Sequence, residues 1–440
     1  MYYMNIITIN KSIQMKKFFL LSLVGALLCT TSCSDDDNIT PQEPVSVIIT
    51  LTHPEDIDPS SVTDESVTFK NRTTGEETST SNISEIKMLP GLYDVNYAAS
   101  VTLPSGAKGA LLGSKSGVTV SGTQCLLELS TYQMIPTDDL IIAEIFFTGT
   151  QQPSGTQYRG DDYIKLYNNT DHIVYADGLT LFESKLNTTE RIDHNPNIIN
   201  TDVSVQVLYT VPGNGTEHPV NPGEYLLIAD TGIDHRDANP NSFDLSHADF
   251  EWYDQSSSAT NIDIDNPDVP NLDKWYSYTK SYYVLHNRGF KAYGIARIPI
   301  DKDTYINDYK YTYNYTLVTP AGEFPMSADA YRIPNEWVVD VVNCSIEAKY
   351  AWNVTAPELD CGWTYCGTID QDKTRFFKSV RRKVQLIDPA GRVILKDTNN
   401  STEDFNPECV PSEIELQGTA ISAAGDKATT ITYDGVTPRM

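Results

Sequence analysis

LIIAEIFF, residues 140–147, is an apolar run interrupted only by Glu144. Runs of this length that are rich in β-branched and aromatic residues are typical of strands. Two further runs follow closely, DYIKLYNN (162–169) and IVYADGLTL (173–181). Because Lys165 alternates with apolar neighbours in the second run, we expect it to pair with Glu144 across the sheet as a structural device. These runs predict an antiparallel β-sandwich that starts near residue 138.

A second set of short strands lies towards the N-terminus, in residues 45–133. The runs are VSVIITL (45–51), VTF (67–69), YDVNY (93–97), VTV (118–120) and LLEL (126–129). Stretches rich in Gly, Pro, Ser and Asn separate them, as in an antiparallel sandwich of about 90 residues. The predicted fold class is therefore all-β, with two immunoglobulin-like or prealbumin-like antiparallel β-sandwiches.

Length, composition and charge limit the function classes. The chain has 440 residues, 40% of them hydrophobic, which suits two or three folded domains. The formal net charge is −27, and residues 1–32 contain three lysines and no acidic residue, so their removal would make it −30. Such a surface repels phosphates, and we expect no nucleic-acid partner.

The first 33 residues have the anatomy of an export signal. Lys16 and Lys17 precede the apolar run FFLLSLVGALL (18–28), which is short for a membrane span and ends in small residues. The following TTSC (30–33) resembles a lipobox and implies cleavage before Cys33, which would carry the lipid.

The residues after Cys33 are Ser34, Asp35, Asp36 and Asp37. They resemble the acidic surface-export tag of Bacteroidota lipoproteins, which implies an outer-membrane lipid anchor and exposure at the cell surface. Residues 34–44 are then expected to be a polar tether.

Two resemblances refine the domain predictions. LPGLYDV (89–95) resembles a segment of carboxypeptidase-regulatory-like, prealbumin-type domains, which implies a spacer or docking domain at 45–133. LIIAEIFF, PGEYLLIA (222–229), SVRRK (379–383) and DTNNSTEDF (397–405) resemble a lamin-tail domain, an immunoglobulin-like sandwich.

The lamin-tail-like domain would cover 138–409, with a long loop insertion at about 230–335 and a C-terminal extension at 410–440. The overall plan also resembles an uncharacterised family of Bacteroidota surface lipoproteins of about this size, which brings no activity with it.

Five cysteines remain beyond the signal: Cys125, Cys344, Cys361, Cys366 and Cys409. An exported protein can form disulfides, so Cys361 and Cys366 could pair locally, or Cys344 with one of them, and buried thiols are the other interpretation. No second pair or histidine stands at the spacing of a structural zinc site.

The segment 230–335 holds the candidate ligand-binding residues. Asp234, His235, His247 and Asp249 offer oxygen and imidazole ligands for a possible divalent metal, although their spacing matches no known loop. The alternative interpretation is a solvated acidic loop whose Asp and His cap turns.

The same segment is dense in aromatic residues. Trp252, Tyr253, Trp275 and Tyr276 are the candidate ligand platform, and YKYTYNY (309–315) places four tyrosines on one strand face. Such a face either packs on a neighbouring sheet or binds sugar rings, a haem-like macrocycle or a partner protein.

No catalytic signature is found: the sequence has no nucleophile elbow, phosphate-binding loop or dinucleotide fingerprint. We therefore expect a non-enzymatic surface module that assists a TonB-dependent receptor in the uptake of a glycan, metal or haem. The alternatives are an adhesion or fimbria-associated lipoprotein that binds a host surface, and a hydrolase that uses carboxylates of the insertion.

Overall fold

A computed structural model describes residues 42–54, 57–102, 108–135, 137–256, 258–388 and 391–418, and these are all-β, as predicted. The predicted signal, Cys33 and the tag residues 34–37 lie outside the described residues. No helix in the described ranges combines the length and apolar character needed to cross a bilayer.

The described residues between 45 and 134 form eight strands. They are β1 (Val45–Thr52), β2 (Thr63–Asn71), β3 (Glu77–Thr80), β4 (Ile86–Met88), β5 (Gly91–Thr102), β6 (Lys108–Val120), β7 (Gln124–Ser130) and β8 (Tyr132–Met134). One sheet has the order β4-β1-β7, with β1 and β7 parallel, and the other has the order β3-β2-β5-β6-β8. All five strands predicted in this region are confirmed.

The core of this first sandwich comes from strict alternation along its strands. Tyr93, Val95 and Tyr97 of β5 are 4%, 0% and 2% exposed, whereas Asn96 between them is exposed. Because successive side chains of a strand point to opposite faces, the apolar set forms one buried layer. Residues from β1, β2 and β7 complete the same core, among them Val47, Phe69 and Leu127.

The described residues between 141 and 417 form nineteen strands and three α-helices. The strands are β9 (Ile141–Phe146), β10 (Tyr163–Tyr167), β11 (Val174–Tyr175), β12 (Leu179–Ser184), β13 (His194–Asn195), β14 (Asp202–Thr210), β15 (Pro219–Val220), β16 (Tyr225–Ala229), β17 (Phe250–Glu251), β18 (Asp273–Ser277), β19 (Ala292–Arg297), β20 (Lys310–Thr319), β21 (Gly322–Pro334), β22 (Val338–Ser345), β23 (Thr364–Tyr365), β24 (Ser379–Arg382), β25 (Val384–Ile387), β26 (Val393–Leu395) and β27 (Phe405–Cys409). The helices are α1 (Lys302–Asp308), α2 (Ser401–Asp404) and α3 (Ser412–Gln417).

Two large sheets share one core. The first has the order β17-β16-β10-β9-β24-β27, and the second runs β13-β20-β21-β14-β12-β19-β22-β23, with β18 paired to β14. Ile145, Ile164 and Ile228 of the first sheet and Tyr209 and Ile295 of the second belong to the same buried cluster. We call the first the six-stranded sheet and the second the nine-stranded sheet.

The run LIIAEIFF is buried on both faces. Ile145 belongs to the core between the sheets, while Phe146 belongs to a second cluster on the outer face that includes Ile414 of α3. A strand covered on both sides needs apolar residues at every position, which explains the lack of alternation. The predicted register is confirmed, since Lys165 lies opposite Glu144. The Lys165 Nζ, however, pairs with Glu413 at 2.5 Å.

The structure differs from the sequence-based boundaries at two places. The segment 230–335, expected to be a loop insertion, supplies strands β17 to β21 and α1, and β19 lies between β12 and β22 inside the nine-stranded sheet. The strands β17 and β18 of this segment have two and five residues and lie between long polar loops, which concealed this role. The expected C-terminal extension also begins later than residue 410, because α3 packs Ile414, which is 0% exposed, into the core.

Among the described residues, Cys125, Cys344, Cys361 and Cys366 are free thiols. Cys344, Cys366 and Cys409 are buried, and burial raises the pKa of the Cys344 and Cys366 thiols. Cys361 is exposed, whereas Cys366, its possible partner in the sequence, is buried. The sequence allowed either a disulfide or thiols at Cys344, Cys361 and Cys366, and the structure has thiols there.

Candidate functional site

The β20–β21 hairpin carries a continuous row of apolar side chains on one face. Its ten-pair register places Tyr313 opposite Ala328, Tyr315 opposite Met326 and Leu317 opposite Phe324. These pairs are two residues apart on each strand, so all of them lie on one face of the hairpin. We call this face the apolar stripe; it consists of Tyr311, Tyr313, Tyr315, Leu317, Phe324, Met326, Ala328 and Ala330.

The inner half of the stripe is core. Tyr313 is 4% exposed, and its ring meets the edge of His194 at a centroid distance of 5.6 Å. Burial raises the pKa of Tyr313 to about 12. The Tyr311 hydroxyl donates to the Ser204 Oγ at 2.7 Å. The sequence left open whether the tyrosine face packs inside the protein or binds a ligand. In this half of the stripe it packs inside the protein.

The outer half of the same stripe is exposed. Leu317, Phe324 and Met326 are 37%, 46% and 40% exposed. Within the described ranges, and apart from their pairing with each other, β20 meets another strand only at Asn314 and Tyr315, and β21 only from Tyr331 onward. The end of the hairpin therefore presents apolar side chains and two strand edges to solvent, a combination that marks contact surfaces.

An open cavity of about 460 Å³ lies where the two halves of the stripe meet, lined by Asp193, His194, Tyr315, Pro325 and Met326, among others. The His194 Nδ1 lies 2.9 Å from the carbonyl oxygen of Ile192, which can only accept, so this nitrogen carries the proton. The buried Nε2 is then an acceptor, and it has no hydrogen-bond partner within the described part of the chain.

The four aromatic residues predicted as a platform do not come together. Trp252 is 0% exposed and lies in the core between the sheets, beside Tyr283 at 6.1 Å. Trp275 and Tyr276 pack instead against a different cluster, the one that contains Tyr313. Tyr253 is half-buried. The exposed apolar side chains of the β20–β21 hairpin are instead Leu317, Phe324 and Met326.

The four residues predicted as metal ligands are also separate, and each has other partners. Asp234 binds the Arg236 guanidinium at 2.5 Å, and His247 lies 3.1 Å from Glu413. Asp249 accepts from the backbone N–H of Leu227.

The fourth, His235, is buried, with Nδ1 3.0 Å from the Tyr158 hydroxyl and Nε2 2.9 Å from the Thr231 carbonyl oxygen. Burial lowers the pKa of His235. Asp234 thus caps a turn, as in the alternative interpretation, whereas His235 is buried and not part of a solvated loop.

One group of side chains in the described ranges has the spacing of metal ligands: Asp177, Glu217 and His218, whose ligand atoms lie within 4.8 Å of one another. Both Asp177 carboxylate oxygens already accept backbone N–H groups, from Gly215, Glu217 and His218 at 2.8–3.1 Å. Burial would raise the pKa of Asp177, but these N–H groups lower it by more. Asp177 therefore holds the loop at 213–218 in place.

The fold and the site together define an all-β protein with two sandwiches and a projecting hairpin that presents an apolar surface. A family model described as a protein of unknown function, DUF4876, matches residues 221–412. The chain is similar in fold to a solved DUF4876 family protein from Bacteroides thetaiotaomicron VPI-5482, with a TM-score of 0.56 and 23% identity over 84% of this chain and 96% of that one. No curated protein matches the chain.

Proposed function

We propose that the chain is a lipid-anchored cell-surface binding module that docks on an outer-membrane protein through the outer half of the apolar stripe. The partner we propose is a TonB-dependent receptor for a nutrient. The lipid anchor would be Cys33, exported by the acidic tag at 34–37. The prealbumin-like region at 45–133 would act as a spacer and the lamin-tail-like region as the binding part.

The observation that carries the binding role is the exposure of Leu317, Phe324 and Met326 on one projecting face. Large apolar side chains are unfavourable in water and are stabilised when a protein contact buries them. The unpaired strand edges beside them would favour self-association unless a partner covers them. A receptor embedded in the same membrane as the lipid anchor is held close at high effective concentration, which favours a contact of this modest size.

A pull-down from outer membranes tests the contact. The double variant Leu317→Ser with Phe324→Ser is expected to recover at least about tenfold less receptor than the unchanged protein. The matched control is Val318→Ser, because Val318 is 70% exposed at the same tip but on the opposite face. Undiminished recovery with the double variant, or equal loss with the control, would contradict the docking surface.

The anchor is tested separately. Cells that express Cys33→Ala are expected to incorporate no labelled fatty acid into the protein, whereas unchanged cells incorporate it and expose the protein to added protease. Labelling that persists in the variant, or protection from protease in intact unchanged cells, would contradict surface display.

A further inference from the structure

The feature that carries a further inference is a pair of aspartates where β10 begins and β16 ends. Tyr163 and Ala229 are paired residues of these strands, and the Asp230 N–H donates to the carbonyl oxygen of Asp162 at 2.9 Å. Asp162 and Asp230 are therefore directly opposite each other, with both side chains on one face. Ile164 and Ile228, two residues further along each strand, lie in the core between the sheets, so this is the buried face.

Both carboxylates are almost fully buried, and among the described residues one oxygen of each has no hydrogen-bond partner. Asp162 is 2% and Asp230 is 1% exposed. The Asp162 Oδ1 and the Asp230 Oδ2 have no hydrogen-bond partner among the described residues. The Trp252 indole is close enough to lower the pKa of Asp230, but its Nε1 also lacks hydrogen-bond geometry to any described group.

The surroundings add negative charge. Burial, and then the charge of Asp162, raises the pKa of Asp230, and Asp263 and Asp161 act in the same direction. Burial and Asp161 likewise raise the pKa of Asp162, which Arg159 and the Gly149 N–H lower by less.

Asp161 itself is satisfied, since it accepts from Ser242 and from the backbone of Thr150. The uncompensated charge is therefore that of Asp162 and Asp230. An unpaired buried charge is among the most destabilising features a fold can contain, so the pair is stabilised either by protonation or by a bound cation.

We propose that Asp162 and Asp230 bind a divalent cation that prefers oxygen ligands, with Ca²⁺ as the representative ion. Two carboxylates balance its charge, and carboxylate oxygens are the ligands that Ca²⁺ takes. The imidazole of His235, which follows β16 closely, is engaged at both ring nitrogens, which disfavours Zn²⁺. This site is independent of the proposed docking surface on the hairpin.

The cation would join two loops. Residues 147–162 lead into β10, and residues 230–249 follow β16, and the two already contact each other through the Asn239 side chain, which donates to the Thr150 Oγ1 at 2.9 Å. A shared ion at Asp162 and Asp230 would fasten both loops to the sheet where they join it.

The first test uses the purified full chain and Ca²⁺. Saturating Ca²⁺ is expected to raise the Tm by about 5 °C or more over the EDTA-treated protein, with one ion bound per chain by elemental analysis. Asp162→Asn and Asp230→Asn should abolish this rise. Asp249→Asn is the matched control and should keep it. If Ca²⁺, Mg²⁺ and Mn²⁺ all leave the Tm unchanged, the two aspartates share a proton and the proposal is overturned.

A second measurement does not depend on those variants folding. Tb³⁺ bound beside Trp252 should emit when tryptophan is excited, and Ca²⁺ should quench the emission by displacement. Trp252→Phe is expected to remove most of the emission while Ca²⁺ still raises the Tm. Emission that Ca²⁺ does not displace, or that survives unchanged in Trp252→Phe, would place the ion elsewhere and overturn the site.

Discussion

The second sandwich contains two groups of buried carboxylates. An arginine lies at ion-pair distance from the first group, Asp340, Asp397 and Asp404, whereas the second group is the pair Asp162 and Asp230. Arg382, 5% exposed, lies among three carboxylates, with Nη2 2.5 Å from Asp340 and Nη1 3.0 Å from Asp397 and 3.8 Å from Asp404. Its Nε donates to the Ile142 carbonyl oxygen. The pair Asp162 and Asp230 is instead left with unsatisfied carboxylate oxygens among the described residues.

The comparison shows which buried carboxylates have their negative charge compensated by a side chain of the protein itself. Burial alone would lower the pKa of Arg382, but the charges of Asp340, Asp397 and Asp404 raise it by more, so the guanidinium stays charged. In this group the charge of Arg382 therefore compensates the buried carboxylates without any added ion. The pair where β10 begins and β16 ends borders loops, through which an ion from solution would enter.

Removal of Arg382 should have the largest effect. Arg382→Met would leave three buried carboxylates without their cation, and we expect a loss of about 3–5 kcal/mol in the free energy of unfolding. Chemical denaturation followed by fluorescence measures it. Lys378→Met is the control, because its ion pair with Glu408 is partly exposed, and it should change stability by less than about 1 kcal/mol. Equal losses of stability in the two variants would contradict the larger contribution expected for the buried ion pairs of Arg382.

Asp360 is a buried carboxyl group of a third kind, and its effect on stability is expected to depend on pH. Asp360 is 0% exposed and accepts from Asn343 and Ser401, without a cation. Burial raises its pKa from 3.8 to about 6, so its contribution to stability is full below pH 3.8 and is lost as the pH rises through 6.

Asp360→Asn removes this titration. Relative to the unchanged protein, the variant should gain up to about 3 kcal/mol in its free energy of unfolding between about pH 4 and pH 8, since each pKa unit corresponds to about 1.4 kcal/mol. Denaturation at the two pH values tests this, with exposed Asp268→Asn as the control. Parallel profiles for Asp360→Asn and the unchanged protein would contradict it.

Glu144 is a buried acid held by hydroxyl and backbone donors. It accepts from the Ser379 Oγ at 2.6 Å, the Tyr163 hydroxyl at 3.0 Å and the Ser412 N–H at 2.9 Å. Ser379→Ala removes one donor of several, and we expect a loss of about 2 kcal/mol in the free energy of unfolding, measured by denaturation. The exposed Ser154→Ala is the control. A neutral result would mean that the remaining donors suffice.

The smallest effect is expected at an exposed acid. Asp234 binds the flanking Arg236 and the N–H of that residue, with 38% of its side chain exposed. Asp234→Asn should leave both the Tm and the Ca²⁺ response unchanged, since surface ion pairs contribute little. A lost Ca²⁺ response in this variant would move the cation site to the residues first suggested by the sequence.

Local patterns were enough to predict several strands of both sandwiches, but not the role of 230–335 in the nine-stranded sheet and not the sites. Alternation placed Tyr93, Val95 and Tyr97 in a core, and the position of Glu144 and Lys165 in adjacent runs predicted their register. The partner of Lys165 could not be foreseen, because Glu413 lies 248 positions later and reaches it only through the packing of α3. Long-range contacts of this kind leave no periodic trace in a sequence.

The same limit applies to the two candidate sites. YKYTYNY predicted a tyrosine face, but its exposed continuation depends on which residues of β21 pair with Leu317. The proximity of Asp162 and Asp230, 68 positions apart, likewise follows from strand pairing. Asp162 and Asp230 each adjoin an apolar run in the sequence. Once β10 and β16 are assumed to pair, these positions predict that the two aspartates lie opposite each other.

The parallel pairing of β1 with β7 affects how the first sandwich responds to force. Ser46 lies opposite Gln124 and Thr52 opposite Ser130, so the two strands run in the same direction along seven pairs. Tension that enters at Val45 and leaves at Ser130 slides the strands lengthwise past each other, and the hydrogen bonds between them must then rupture together. The first sandwich has the shear geometry of a tension-resistant link, able to stay folded while the chain beyond it is pulled.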